Sequence, residues 1–297
     1  AHFFGISVNL AIWGSIIIII CSLLLVIGKY SLLDKLMKFI IIILSICTLL
    51  ALILAFHSSN EFPSLVQVLP EGSGLLFLIA FMGWMPAPMD ISIWHSIWSV
   101  EKQKEIKNIN LKETLYDFNV GYVTTILLGL LFMGLGALVM FNTEEEFSDK
   151  GLVFASQLID LYTSNLGESL GGIISLAAFT TMFSTTITTL DASPRAFSKT
   201  IQLINKDDKD YYLFFLLILS LGTIAIFLFL QSEMGFLVQV ATVLSFLTTP
   251  FFAWINLKLV TSSFMPQKFQ PKKELVIFSW FGLLFLSAFT VGYLISL

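Results

Sequence analysis

The stretch Met82-Gly83-Trp84-Met85-Pro86-Ala87-Pro88-Met89-Asp90-Ile91-Ser92-Ile93-Trp94-His95-Ser96 decides how this chain folds. An apolar run enters it from Leu75, two prolines and a glycine interrupt it, and a carboxylate stands just past the interruption. Proline lacks a backbone donor, and its ring clashes with the preceding helical turn. Two prolines two residues apart unwind at least a turn, so the carbonyls around Gly83–Ala87 lose their helical partners. In lipid, unwound backbone persists only where protein buries it or where it lines a watery cavity. These carbonyls and Asp90 are therefore candidate cation ligands. A carboxylate at membrane depth usually marks an ion pathway or a proton relay. Asp90 also stands where it can cap the second half-helix, a role compatible with ligation.

The rest of the chain has a composition that suits lipid. Its 297 residues are 57% hydrophobic and 12% charged, whereas soluble domains carry about 25% charged residues. Several apolar runs exceed the roughly 20 residues that a helix needs to cross a bilayer. The runs are continuous rather than alternating, which excludes a β-barrel. No basic patch suits nucleic acid. Cys21 and Cys47 lie inside apolar runs and read as packing residues. There is no Gly-rich phosphate loop, no His-Glu-x-x-His and no serine nucleophile elbow. The chain is thus expected to be no enzyme and to need no resident cofactor.

Eight spans are predicted, at about 8–27, 39–56, 74–100 with a break at 86–88, 120–141, 170–190, 211–230, 236–257 and 275–297. They form a single all-α transmembrane domain over 1–297, with a short amphipathic stretch at 152–165. Lys29, Lys35 and Lys38 follow the first span; Lys102, Lys104, Lys107 and Lys112 the third; Arg195, Lys199, Lys206 and Lys209 the fifth; Lys258, Lys268, Lys272 and Lys273 the seventh. Positive charge marks the cytoplasmic side, so both ends of the chain are expected on the other side, in a bacterial-type cell membrane. An outside N-terminus at Ala1 suggests the loss of an odd number of upstream spans.

Other polar residues fall inside or beside these spans. His95 and Ser96 lie along the second half-helix, where a histidine can relay protons or hydrogen-bond within the packing. Thr180, Thr181, Ser184, Thr185, Thr186, Thr188 and Thr189 crowd span five. Such hydroxyls glue helices together or line a water path. Asp191 lies four residues before Arg195, a spacing that lets them pair on a helix. The two read as a local pair or a gate latch.

These residues resemble the Nramp family of divalent metal transporters. That family breaks its sixth helix at Met-Pro-His and continues to a Leu-His-Ser; here Trp94-His95-Ser96 ends the same region. Counting back without gaps sets Asp90 on the histidine of Met-Pro-His and Pro88 on the ligand methionine. A gapped register pairs Met85-Pro86 with Met-Pro instead. Ser184-Thr185-Thr186-Ile187-Thr188 is similar to a Ser-Ser-Thr-Ile-Thr of the eighth helix. The segment from Val243 to Phe251 is similar to the Leu-Ser-Leu-Gln-Leu-Pro-Phe of the tenth, with Thr248 in place of a glutamine that can contact metal. Gly28-Lys29-Tyr30 is similar to the hinge between helices four and five. No stretch matches the Asp-Pro-Gly-Asn of the first helix, so the resemblance covers helices four to eleven and leaves helices one to three to be supplied in an intact protein.

The resemblance implies a LeuT-like inverted-repeat transporter fold, present in part. It implies a secondary transporter that imports a divalent cation by alternating access, with or without protons. Asp90 and carbonyls near Met85 and Ala87 would be ligands, Thr248 a weaker one, and His95 with Ser96 a proton or water contact. Thr185, Thr188, Asp191 and Arg195 would serve gating or helix packing. Hard oxygen ligands suit Mg²⁺ or Mn²⁺; a site reached by the Met85 thioether would keep a preference for Mn²⁺ and Fe²⁺. Two other readings stand beside it: an amino-acid-like symporter of the same fold, and a non-transporting remnant or scaffold.

Overall fold

Among the described residues the chain is helical throughout, with no strand. The structure is a computed structural model that describes residues 9–58, 66, 73–84, 88–105, 111–139, 153, 157, 171–230 and 233–296. In order, the helices are α1 (Leu10–Ser58), α2 (Ser73–Trp84), α3 (Ile91–Glu105), α4 (Leu111–Val139), α5 (Gly171–Asn205), α6 (Tyr212–Phe229), α7 (Met234–Val260) and α8 (Lys273–Ser296). A single 3₁₀ turn, Gln267–Phe269, precedes α8. The amphipathic stretch expected at 152–165 lies outside the described residues apart from Val153 and Gln157.

Six segments are long and apolar enough to cross a membrane: Ala11–Gly28, Tyr30–His57, Lys112–Val139, Tyr212–Phe229, Gly235–Val260 and Lys273–Ile295. Their outward faces carry large apolar side chains such as Ile27, Phe229, Phe278 and Ile295. The protein is an all-α, multi-pass integral membrane protein. The two halves of the broken span, 12 and 15 residues long, are each shorter than a crossing helix.

The first two predicted spans are one helix of 49 residues, with no loop between them. The lysines that suggested a connection sit inside it. Leu, Met, Lys and Asp at 32–38 sustain a helix, and Lys38 donates to Asp34 one turn earlier at 2.6 Å. The two segments are nonetheless distinct, because the helix folds sharply at Gly28. A Cβ added there would collide with the Cβ of Leu32, although such neighbours lie about 5–6 Å apart on a straight helix. Glycine is a usual seat of a sharp kink.

Contacts divide the chain into two compact units. The first comprises Ala1–Val66 and Ser96–Phe236. Its core joins Ile18, Cys21, Leu25 and Leu33 of α1 to Ile187 and Leu190 of α5 and Leu216 of α6. Small and polar residues let the helices approach, as in other membrane bundles: the hydroxyls of Ser22 and Ser220 bond at 2.9 Å, and Gly14 lies against the Phe227 ring. The second unit comprises Gln67–His95 and Leu237–Leu297. Ile79 of α2, Phe246 of α7 and Tyr293 of α8 form its core.

Replacing Gly28 with alanine should lower the melting temperature in detergent, because the new methyl must displace Leu32; overpacking of this kind costs about 1–3 kcal/mol. Gly136→Ala, where an added Cβ meets nothing, should leave it unchanged or raise it slightly.

Candidate ion site

Pro88, Met89 and Asp90 are not helical and make a tight turn. α2 stops at Trp84, and α3 starts at Ile91. Between them Met89 and Asp90 form a turn, and three amides close it: Ile91 donates to the Pro88 carbonyl at 3.1 Å, Ser92 to Met89 at 3.2 Å and Ile93 to Asp90 at 3.0 Å. Asp90 is half-buried just before the first turn of α3. Its carboxylate makes no hydrogen bond or ion pair with any described residue, so it does not cap α3. Met85, Pro86 and Ala87 lie outside the described residues.

α7 holds both sides of the break. Before it, a Cβ on Gly83 would collide with the Thr242 carbonyl oxygen and sit 3.1 Å from the Phe246 Cβ. Only glycine lets α2 come that close. The indole of Trp84 donates to Ser245 Oγ at 3.2 Å. After the break, the Asn256 amide donates to Ser92 Oγ at 3.0 Å. Ser245 and Asn256 lie eleven residues apart, about 16 Å along the helix, so α7 runs past the whole gap. It also carries Pro250 within its length. That proline removes the donor that would satisfy the Phe246 carbonyl, on the turn that faces Gly83. The second unit thus carries, along α7 and the broken helix, the half-buried Asp90 carboxylate, the Ser92 and Ser245 hydroxyls, the Asn256 amide and the Phe246 carbonyl.

The other sequence candidates are placed as follows. Thr248 is exposed, and its hydroxyl returns to the Leu244 and Ser245 carbonyls of its own helix at 3.0 and 3.1 Å. The α7 side chains that meet the broken helix are instead Ser245, Phe246 and Asn256, which the sequence did not single out as ligands. Pro250 was the available signal for the Phe246 carbonyl. His95 and Ser96 are exposed on α3. Among the described residues no three of His, Cys, Asp and Glu converge on one point.

Among the described residues, the hydroxyls at 180–188 do not reach across to other helices. Thr180, Thr181, Ser184, Thr185, Thr186 and Thr188 each donate to a carbonyl three or four residues back in the same helix. This back-bonding is common for hydroxyls inside helices.

Asp191 and Arg195, in the first unit, form far more than a local pair. Asp191 is fully buried. Its carboxylate accepts Arg195 Nε at 2.9 and 2.8 Å, Tyr212 OH at 2.9 Å and Trp98 Nε1 at 2.8 Å. Arg195 lies over the Tyr212 ring at 4.6 Å and reaches Glu101 at 3.6 Å. Glu101 accepts Lys104, and Lys102 donates to Asp117 of α4, both at 2.6 Å. A buried carboxylate costs several kcal/mol unless it is paired and hydrogen-bonded. Here α3, α5 and α6 each supply donors to it.

Comparison with known proteins places this arrangement. A family model described as natural resistance-associated macrophage protein-like matches residues 1–296. An uncharacterized protein of Pasteurella multocida (strain Pm70) is 35% identical over 284 residues, which is 93% of this chain and 64% of that protein. The chain therefore spans slightly under two thirds of that relative's length. No solved structure matches it significantly. The broken third span, the helical hinge at Gly28 and a family match along essentially the full length agree, and the chain belongs to the Nramp family, whose members are polytopic transporters of the LeuT-like inverted-repeat fold.

Proposed function

We propose that this chain forms the ion-holding portion of a secondary transporter that imports a hard divalent cation, Mg²⁺ or Mn²⁺, by alternating access. One observation carries the reading: Asp90 stands half-buried at the start of α3, directly beyond a helix break, in a chain of the Nramp family. Intramembrane acids at broken helices are the recurring ion-binding device of secondary transporters. The ligand that this reading names among the described residues is the Asp90 carboxylate, and oxygen ligands favour hard cations. Asn256 and Ser92 fix the first turn of α3 and so orient Asp90. Asp90 and His95 are the groups that would pass a proton if transport is proton-coupled. The distribution of lysines supports an orientation with both ends of this stretch on the non-cytoplasmic side. The proposal concerns the intact transporter, in which upstream helices supply the other half of the site.

Uptake by the full-length protein in proteoliposomes tests the reading. Asp90→Asn keeps the size of the side chain and removes its charge, and should lower divalent uptake at least tenfold, equivalent to about 1.4 kcal/mol, with the melting temperature little changed. Undiminished uptake would remove Asp90 from the site. Mg²⁺ in large excess should compete with Mn²⁺ uptake; uptake of Mn²⁺ that excess Mg²⁺ leaves untouched would overturn the hard-ion assignment and favour a thioether ligand.

A further inference from the structure

The geometry points to Asp191 as the hub of a latch that holds the second half of the broken helix, and we propose that the latch opens and re-forms during transport. The inference rests on the transport reading above and goes beyond it in naming the residues that hold one state. α3 is one uninterrupted helix from Ile91 to Glu105. Asp90 adjoins its first turn, and Trp98 and Glu101 lie on later turns. Whatever moves the start of α3 must carry these two residues with it.

The two sides of the latch differ in kind. α5 and α6 form a fixed hairpin. α5 ends where Lys206 adopts a left-handed backbone, φ 54°. Ser198 Oγ donates to Asp210 at 3.2 Å and accepts the Tyr211 amide at 3.0 Å. Gln202 donates to the Lys209 carbonyl at 2.7 Å, and Tyr211 OH to Asp207 at 2.8 Å. The Tyr212–Asp191 bond lies inside this hairpin. Asp191 and Arg195 stay joined four residues apart on one helix. The links to α3 are separate: the Trp98 indole to Asp191, and Glu101 to Arg195. When α3 leaves, Asp191 keeps Arg195 and Tyr212 as partners, so its charge is never stranded. Arg195 keeps Asp191 and the Tyr212 ring. A polar link whose remaining members stay satisfied can break at modest cost, whereas a buried charge left unpaired cannot.

The test is a distance measurement on the full-length protein in liposomes, with its native cysteines, Cys21 and Cys47 among them, replaced by alanine and spin labels at Gln103 of α3 and Thr200 of α5, both exposed. Trp98→Phe keeps the ring and removes the donor to Asp191. It should shift the population toward longer separations, changing the ratio of latched to open states by about tenfold or more. Glu101→Gln should shift it the same way by less, and keeps the test readable if Trp98→Phe fails to fold. Tyr212→Phe removes an equally short bond to the same carboxylate but within the hairpin, and should leave the distribution unchanged. If Trp98→Phe and Glu101→Gln both leave the distances unmoved, or if Tyr212→Phe widens them as much, Asp191 is a static packing centre and the latch is wrong. Divalent uptake by the parent liposomes is scored separately: its absence overturns the transport reading, while the distances, which need no ion, still judge the latch.

Discussion

An interrupted helix in a lipid-like sequence poses one demand before any other: the backbone groups it frees must find partners. Each unsatisfied group in hydrocarbon costs several kcal/mol. α2 and α3, at 12 and 15 residues, reach only about 18 and 22 Å at 1.5 Å per residue, against roughly 30 Å of hydrocarbon. Neither half can stand alone, so something must run beside the gap. α7 does so, by glycine-enabled backbone contact at Gly83, by an indole bond from Trp84 to Ser245, and by the Asn256 amide on Ser92 beyond the gap. The contacts before the break are mainly close van der Waals packing, which is lost steeply with separation. After it, the Asn256 amide adds a directional hydrogen bond to Ser92.

Asp191 obeys the opposite rule. At the break, the Asp90 carboxylate has no hydrogen bond or ion pair with a described residue. At Asp191 both carboxylate oxygens are engaged by donors from three helices. A charge so fully compensated ties together the three helices that supply its donors. The two acids are thus sorted by their neighbours rather than by their type. The distinction follows from local accounting of donors and acceptors.

How much of this can be read in the sequence depends on how local the cause is. Pro86 and Pro88 break a helix wherever they occur, so the gap was legible residue by residue. The membrane class followed from apolar run length. The continuity of α1 was not legible, because lysines after Gly28 look like a loop end. They are also good helix formers, and the Asp34–Lys38 pair completes a turn there. The pairing of Asp191 with Arg195 followed from helical spacing, but Trp98 lies 93 positions away and Tyr212 21 away, and no periodicity links them. Thr248 shows a subtler gap. Its motif position suggested a ligand, yet the side chains of α7 that meet the broken helix are three positions earlier at Ser245 and eight later at Asn256. At about 100° per residue, those two share one face, and Thr248 lies on its flank, roughly 60–80° round the helix, so only tertiary packing decides which part of that surface meets the break.

The contrast between the two halves of the broken helix has a physical consequence for how such a transporter moves. A contact built on a glycine against a carbonyl fits at one separation and one rotation; displacing it opens a void that lipid and neighbouring side chains do not fill well. Hydrogen bonds from an indole or to a guanidinium can be exchanged for water at a net change of about 1–3 kcal/mol, a size that a bound ion can overcome. The first half of the break is held by the former kind of contact and the far end of the second half by the latter. Between them, Pro88, Met89 and Asp90 leave the helix. An element packed at one end, hydrogen-bonded at the other and interrupted beside a carboxylate has parts that a two-state switch uses: α2 packed on α7, Trp98 and Glu101 on the Asp191 hub, and Asp90 at the turn between.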